Sequence, residues 1–226
     1  MKLAHLFARL KESRTSRGAS SGKRWIAYLA AISSLLWGLD SSAAPKTVCF
    51  GDSVTQGSGI EDPADTWCAK LGGINAGIGG NDTRQALARF VTDVLRHKPK
   101  RVIMMFGLGD SYTFDRGNGG QVRIELEEYK ANYRKMIRAL KRRNIEVILM
   151  TSNPTLYFPA NLIMRPYIDH VRWLAKHYDL KLVDLYSAFA QQVIQTGDWA
   201  EMLQDGIHPT VYGNEFIYAE IVRVLQ

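Results

Sequence analysis

Short apolar runs alternate with longer segments whose apolar residues recur every three or four positions, and this alternation holds from Pro45 to the end of the chain. Residues 47–50, 101–106, 145–151 and 181–185 are runs rich in Val, Ile, Leu or Met, with a shorter one at 73–75. Such runs suit strands covered on both faces. Between them, Leu87, Phe90, Val91, Val94 and Leu95 form one helical stripe, and Tyr129, Tyr133, Met136, Ile137 and Leu140 a second. Ile163, Tyr167, Val171 and Leu174 form a third, and Phe216, Ile217, Ile221, Val224 and Leu225 a fourth. Each keeps the spacing of a helix packed on a sheet, so the aromatic and Met positions are expected in the core. Strand–helix alternation with short connections implies an α/β domain around a mainly parallel sheet.

In such sheets ligands bind beyond the carboxyl ends of the strands. Ser53, Gly77–Gly80, Gly107–Asp110 and Asn153 each follow a predicted strand, so the polar and glycine-rich loops fall on that edge.

The chain before Pro45 reads differently. Residues 25–39 are a 15-residue apolar stretch interrupted only by Ser33, Ser34 and Gly38, preceded by Lys23-Arg24 and followed by Ser41-Ser42-Ala43-Ala44. That order matches a secretory signal, since membrane spans usually need about 18 apolar residues. The 24 residues ahead of the apolar stretch also fit an organellar transit peptide or an uncleaved anchor. Residues 1–44 are therefore set apart as a basic leader with a signal or anchor, and 45–226 as one domain. The reading for the mature protein is export to a periplasmic or extracellular space, with membrane anchoring as the alternative. The leader holds seven Lys/Arg and two Asp/Glu of the chain's 29 and 22, leaving 22 basic and 20 acidic residues in the domain. That balance argues against a nucleic-acid partner, which needs a basic stripe. The densest candidate, Lys141-Arg142-Arg143, ends a helix, where cations meet the dipole favourably.

Two motifs carry chemistry. Gly51-Asp52-Ser53-Val54-Thr55-Gln56-Gly57 puts Ser53 at a strand-to-helix turn. There a hydroxyl faces free N–H groups and the positive helix end, though Ser is also a favoured N-cap. Asp205-Gly206-Ile207-His208-Pro209 puts a carboxylate three residues before an imidazole. One turn can then let Asp205 orient His208, and Pro209 suits a helix start. Ser, Asp and His are the parts of nucleophilic acyl transfer if the fold joins the chain ends. A third segment, Asn75-Ala76-Gly77-Ile78-Gly79-Gly80-Asn81-Asp82-Thr83, lets backbone approach a reacting centre but lacks dinucleotide spacing. No Cys/His cluster or paired carboxylates suggest a metal, and Asp82, Asp110 and Asp115 lack cation-site spacing. His5, His97, His170 and His177 read as leader or surface residues. Cys49 and Cys68 are left as either a disulfide or two small buried apolar residues.

Together these segments resemble the SGNH, or GDSL, hydrolase family, in motif order over 47–226. The resemblance implies a three-layer α/β/α sandwich of flavodoxin-like kind with a five-stranded sheet. It makes Ser53 the nucleophile, Asp205 and His208 its triad partners, and Ser53 and Gly80 the oxyanion-hole donors. Asp52 matches a structural position. Segments 75–90 and 159–174 look most like the branch with bacterial periplasmic thioesterase/lysophospholipase enzymes. One position departs: Gly107-Leu108-Gly109-Asp110 carries Gly109 where the family has an oxyanion-donating Asn. Asn81, Ser111 and Asn153 are the polar neighbours that could substitute, and Asp110 is a further site-lining residue. The implied activity is carboxylic-ester hydrolysis without cofactor or metal, on a small-molecule, lipid or acylated-glycan ester. The membrane would be a partner only if the leader is uncleaved. The alternatives are an envelope polysaccharide O-acyltransferase or deacetylase, and a weakly active binding module.

Overall fold

The computed structural model describes residues 46–111 and 122–226. The signal or anchor reading of the leader and the position of Asp115 lie outside them. Five parallel strands form one sheet in the order β2-β1-β3-β4-β5: β1 (Thr47–Gly51), β2 (Ile74–Gly77), β3 (Arg101–Met105), β4 (Glu146–Met150) and β5 (Lys181–Val183). The longer helices are α3 (Thr83–Asp93), α5 (Leu126–Lys141), α6 (Phe158–Tyr178), α7 (Leu185–Thr196) and α9 (Val211–Leu225). Short helices α1 (Ser53–Gln56), α2 (Trp67–Lys70), α4 (Leu108–Ser111) and α8 (Trp199–Met202) lie in the connections.

The strand sequences alternate between two cores because successive side chains point to opposite faces. Val48, Phe50, Val102, Met104, Val147 and Leu149 pack with Phe90, Tyr129, Tyr133, Met136 and Tyr167 on one side. Cys49, Ile103, Met105, Ile148, Met150 and Val183 meet Trp67, Leu185, Phe189, Ile217 and Ile221 on the other. This is the expected three-layer α/β/α sandwich.

The structure corrects several local expectations. The second strand runs over Ile74–Gly77 and not 73–75, so Gly77 is a strand residue. The fifth strand stops at Val183, because Asp184 caps a new helix by accepting the Ser187 N–H, and Leu185 opens α7. Val91 faces solvent at 65% exposure and does not belong to the α3 stripe. His170 is buried and stacks on Trp173 rather than lying on the surface. Burial, with Lys130 and Arg134 nearby, pushes its imidazole down to about 4. Cys49 and Cys68 form a disulfide that ties β1 to α2.

Candidate active site

β1 ends at Gly51, and Asp52 caps α1 by accepting the Val54 N–H at 3.0 Å. Ser53 is therefore the first helical residue, and its N–H has no acceptor within the helix. Its hydroxyl lies 3.0 Å from His208 Nε2. His208 Nδ1 lies 2.7 Å from Asp205 Oδ2, and Asp205 Oδ1 accepts the Ile207 and His208 N–H groups at 2.9 and 2.8 Å. An ionised carboxylate only accepts, so the imidazole proton sits on Nδ1 and Nε2 is left to accept from Ser53. Burial works to raise the Asp205 carboxyl, but these N–H bonds outweigh it and hold the group below the usual carboxylate range.

The loop bearing Asp205 and His208 is fastened from several sides. Leu203 and Pro209 bridge across its base, and Gln204 N–H donates to the His208 carbonyl at 2.9 Å. Gln204 Nε2 donates to Ser58 O at 2.8 Å, linking the loop to the chain just after α1. Asn153 Nδ2 donates to Ile207 O at 2.9 Å and Pro154 O at 3.0 Å. Leu156 N–H donates to Gly206 O at 2.8 Å.

Gly80 follows β2 with a φ of 70°, a left-handed conformation that favours glycine. Its N–H donates to no protein acceptor among the described residues. Its carbonyl accepts Arg123 Nη1 at 2.6 Å. Asp110 reaches across to the same loop, accepting the Thr83 N–H at 2.8 Å and the Thr83 hydroxyl at 2.5 Å. Burial pushes its carboxyl up to about 7 despite those bonds, with Asp82 and Asp52 adding to the rise. Burial likewise raises Asp52 to about 6, against the opposing pull of the Val54 N–H and His208.

At Gly109 an added Cβ would stand 2.7 Å from the Asn81 carbonyl oxygen, so the Gly80–Asn81 backbone occupies the space a side chain needs. Two of the expected substitutes are turned to other partners. Asn153 spends its amide on carbonyls, and Ser111 Oγ donates weakly to Leu108 O at 3.4 Å. Asn81 accepts Arg89 Nε at 2.7 Å through Oδ1, which leaves its Nδ2 as the remaining candidate donor.

Thus Ser53, Gly80, Gly109, Asn153, Asp205 and His208 gather on the carboxyl edge, with Asp52, Asn81 and Asp110 beneath or beside them. Sequence reasoning missed Arg89. Its guanidinium donates to Gly51 O (2.9 Å) and Ala76 O (2.7 Å) as well as to Asn81, joining the ends of β1 and β2. Sequence reasoning also missed Trp67, whose indole donates to Val54 O at 3.3 Å and whose backbone N–H donates to Asn214 Oδ1 at 3.1 Å. Among the described residues no group of three His, Cys, Asp or Glu side chains could hold a metal ion, and no helix is long and apolar enough to cross a membrane.

Chemically, an oriented imidazole against a helix-start hydroxyl, with free N–H groups alongside, can deliver a nucleophilic oxygen and stabilise the oxyanion it creates. Comparison with known proteins points the same way. The sequence profile of the GDSL-like Lipase/Acylhydrolase family matches residues 49–216. The chain is 27% identical to the Escherichia coli thioesterase 1/protease 1/lysophospholipase L1, over 82% of this chain and 86% of that one. It is 27% identical to an uncharacterized lipoprotein of Bacillus subtilis, over 81% and 90% of the two chains. Among solved structures, the acetylxylan esterase of Geobacillus stearothermophilus superposes with a TM-score of 0.69 at 25% identity, covering 80% of this chain and 94% of its own.

Proposed function

The chain belongs to the GDSL-like lipase/acylhydrolase family, and on that premise we propose that it is an exported serine carboxylic-ester hydrolase working through an acyl-enzyme. Ser53 Oγ attacks the acyl carbonyl while His208 Nε2 takes its proton. Asp205 holds the imidazole in the required tautomer and stabilises the imidazolium. The Ser53 and Gly80 N–H groups receive the oxyanion of the tetrahedral intermediate. As that intermediate collapses, His208 returns the proton to the leaving alcohol. Water, with His208 again as base, then releases the acid and restores the Ser53 hydroxyl.

The observation that carries this reading is the continuous chain Ser53 Oγ–His208–Asp205 at 3.0 and 2.7 Å, assembled from residues more than 150 positions apart in sequence. With Gly109 in place of Asn, the oxyanion hole rests on two backbone donors unless Asn81 Nδ2 adds a third. Loss of one donor typically costs about 10²–10³ in rate, so a slow enzyme on small activated esters is the expectation.

Leu156, Tyr157, Phe158 and Leu162 form an exposed apolar wall beside the Asp205–His208 loop, with Leu156 against Gly206. That wall suits an apolar acyl group, in keeping with the thioesterase and lysophospholipase named among the relatives. A second reading, removal of small acyl groups from a glycan, is supported by the likeness to the acetylxylan esterase. The lipoprotein relative supports export with membrane attachment, and the separate leader at 1–44 is part of the same proposal.

The test is hydrolysis of nitrophenyl esters from acetyl to octanoyl, beside an acetylated-glycan panel. Ser53→Ala should lower the rate by at least about 10³-fold without shifting thermal unfolding. Full activity in that variant would refute the assignment, and the chain-length profile decides between the two substrate readings.

A further inference from the structure

Exposed cations gather at one edge of this domain. The sequence over 45–226 is nearly balanced, yet the amino edge of the sheet, opposite Ser53, gathers cations. Lys46 precedes β1, Lys98 and Lys100 precede β3, and Lys141, Arg142 and Arg143 lie where α5 gives way to β4. Backbone pairing brings these segments together. The Lys46 carbonyl accepts the Lys100 and Arg101 N–H groups at 2.9 and 3.2 Å, and the Lys100 carbonyl accepts the Glu146 N–H at 2.9 Å.

All six cations are exposed. Among the described residues none of them stands in an ion pair. The nearby acids do not compensate them. Glu146 is engaged by Arg101 at 2.7 Å and Lys181 at 3.7 Å, Asp93 by Arg89 at 3.0 Å, and Asp179 is a single exposed helix cap. The positive surface continues along the outer side of α5, where Arg134, Lys135, Arg138 and Arg142 line a depression of about 440 Å³. At the opposite edge, Asp52 and Asp110 are buried, Asp82 pairs with Arg123 at 3.4 Å and Asp205 with His208 at 2.7 Å.

We propose that this basic edge docks the domain on an anionic phospholipid bilayer and leaves the Ser53–His208 site facing the aqueous phase. Uncompensated exposed cations on one face are what a negatively charged lipid surface attracts, each strengthening binding roughly fivefold. The route of the chain supplies the second argument. The apolar run at 25–39 lies seven residues before Lys46, and seven residues reach at most about 25 Å. If the leader is held in a bilayer, that length keeps Lys46, and with it the start of this edge, within about 25 Å of the lipid. Five-residue strands separate the two edges by about 17 Å, so bound esters would arrive from water. Resting on the hydrolase reading, this favours a soluble or wall-borne ester over the lipids of the docking bilayer.

The experiment floats the full chain with phosphatidylcholine vesicles, with and without phosphatidylglycerol, at low and high salt. It compares the parent with the variant Lys98→Gln/Lys100→Gln/Arg142→Gln/Arg143→Gln. The apolar run contributes equally to both, and thermal unfolding controls for folding. The parent should prefer the anionic vesicles, and the variant should lose at least about 10-fold of that preference, as the parent does at high salt. Equal preference in the two proteins would overturn the proposal. So would displacement of the parent from vesicles by an equal charge of dextran sulfate, which would assign the edge to soluble polyanions. Hydrolysis of a water-soluble ester should persist on vesicle-bound protein, and its loss on binding would refute the orientation. The binding readout does not involve hydrolysis, so an inactive protein that still floats would leave the docking surface standing and remove only the enzymatic reading.

Discussion

At the scale of single residues, Gly109 decides how the proposed oxyanion hole is built. Its neighbours leave no room for the Asn found in the family: the first side-chain atom would sit 2.7 Å from a backbone oxygen. Something must shift, and the segment that would shift is Gly80–Asn81. Gly109→Asn should therefore lower ester hydrolysis, by about 10-fold or more if the Gly80 N–H is displaced. A rise in rate on the same ester would mean the loop yields and the donor had simply been lost. Asp110 offers a second residue-level outcome. Its carboxyl titrates near 7 in the folded protein against 3.8 for an ordinary one, so the native state binds the extra proton between those values. Its contribution to stability is present below about 4 and is lost as pH rises through about 7. Asp110→Asn keeps an acceptor for Thr83 but cannot ionise. Its stability relative to the parent should climb between pH 4 and 8 in denaturant titrations, and parallel profiles would contradict the raised carboxyl.

Elements show which parts of this protein are legible before folding. β1, β3 and β4 are plain in the sequence because strands buried on both faces leave uninterrupted apolar runs, and α5 is plain because Tyr129, Tyr133, Met136 and Ile137 keep one stripe. α7 was hidden: Leu185 continues the apolar run of β5, and only the Asp184 side chain, capping Ser187, divides the two elements. The Ser53, Asp205 and His208 motifs announced themselves through residue type and order. The scaffold that aims them did not, because Arg89, Asn153 and Trp67 act through backbone carbonyls and N–H groups that a sequence does not display. The same holds for the disulfide. Cys49 sits in a strand and Cys68 in a four-residue helix, and only the fold brings them together. Their link closes a loop of 19 residues between the strand that leads into Ser53 and the helix whose Trp67 holds α1 and α9. Replacing both by Ala should cost about 3 kcal/mol in a urea titration and loosen the site. An unchanged midpoint, with no loss under reducing conditions, would show that packing alone holds β1 to α2.

The domain over 45–226 is an α/β sandwich with the proposed chemistry on one edge and exposed cations gathered on the other, and the central proposal is that Ser53 becomes covalently acylated. Incubation with an alkyl fluorophosphonate followed by intact-mass and peptide analysis tests this most directly. The account predicts one adduct per chain, located on Ser53, absent in Ser53→Ala and formed much more slowly in His208→Ala. An adduct on another residue, or ester hydrolysis by a protein that takes no label at all, would contradict it.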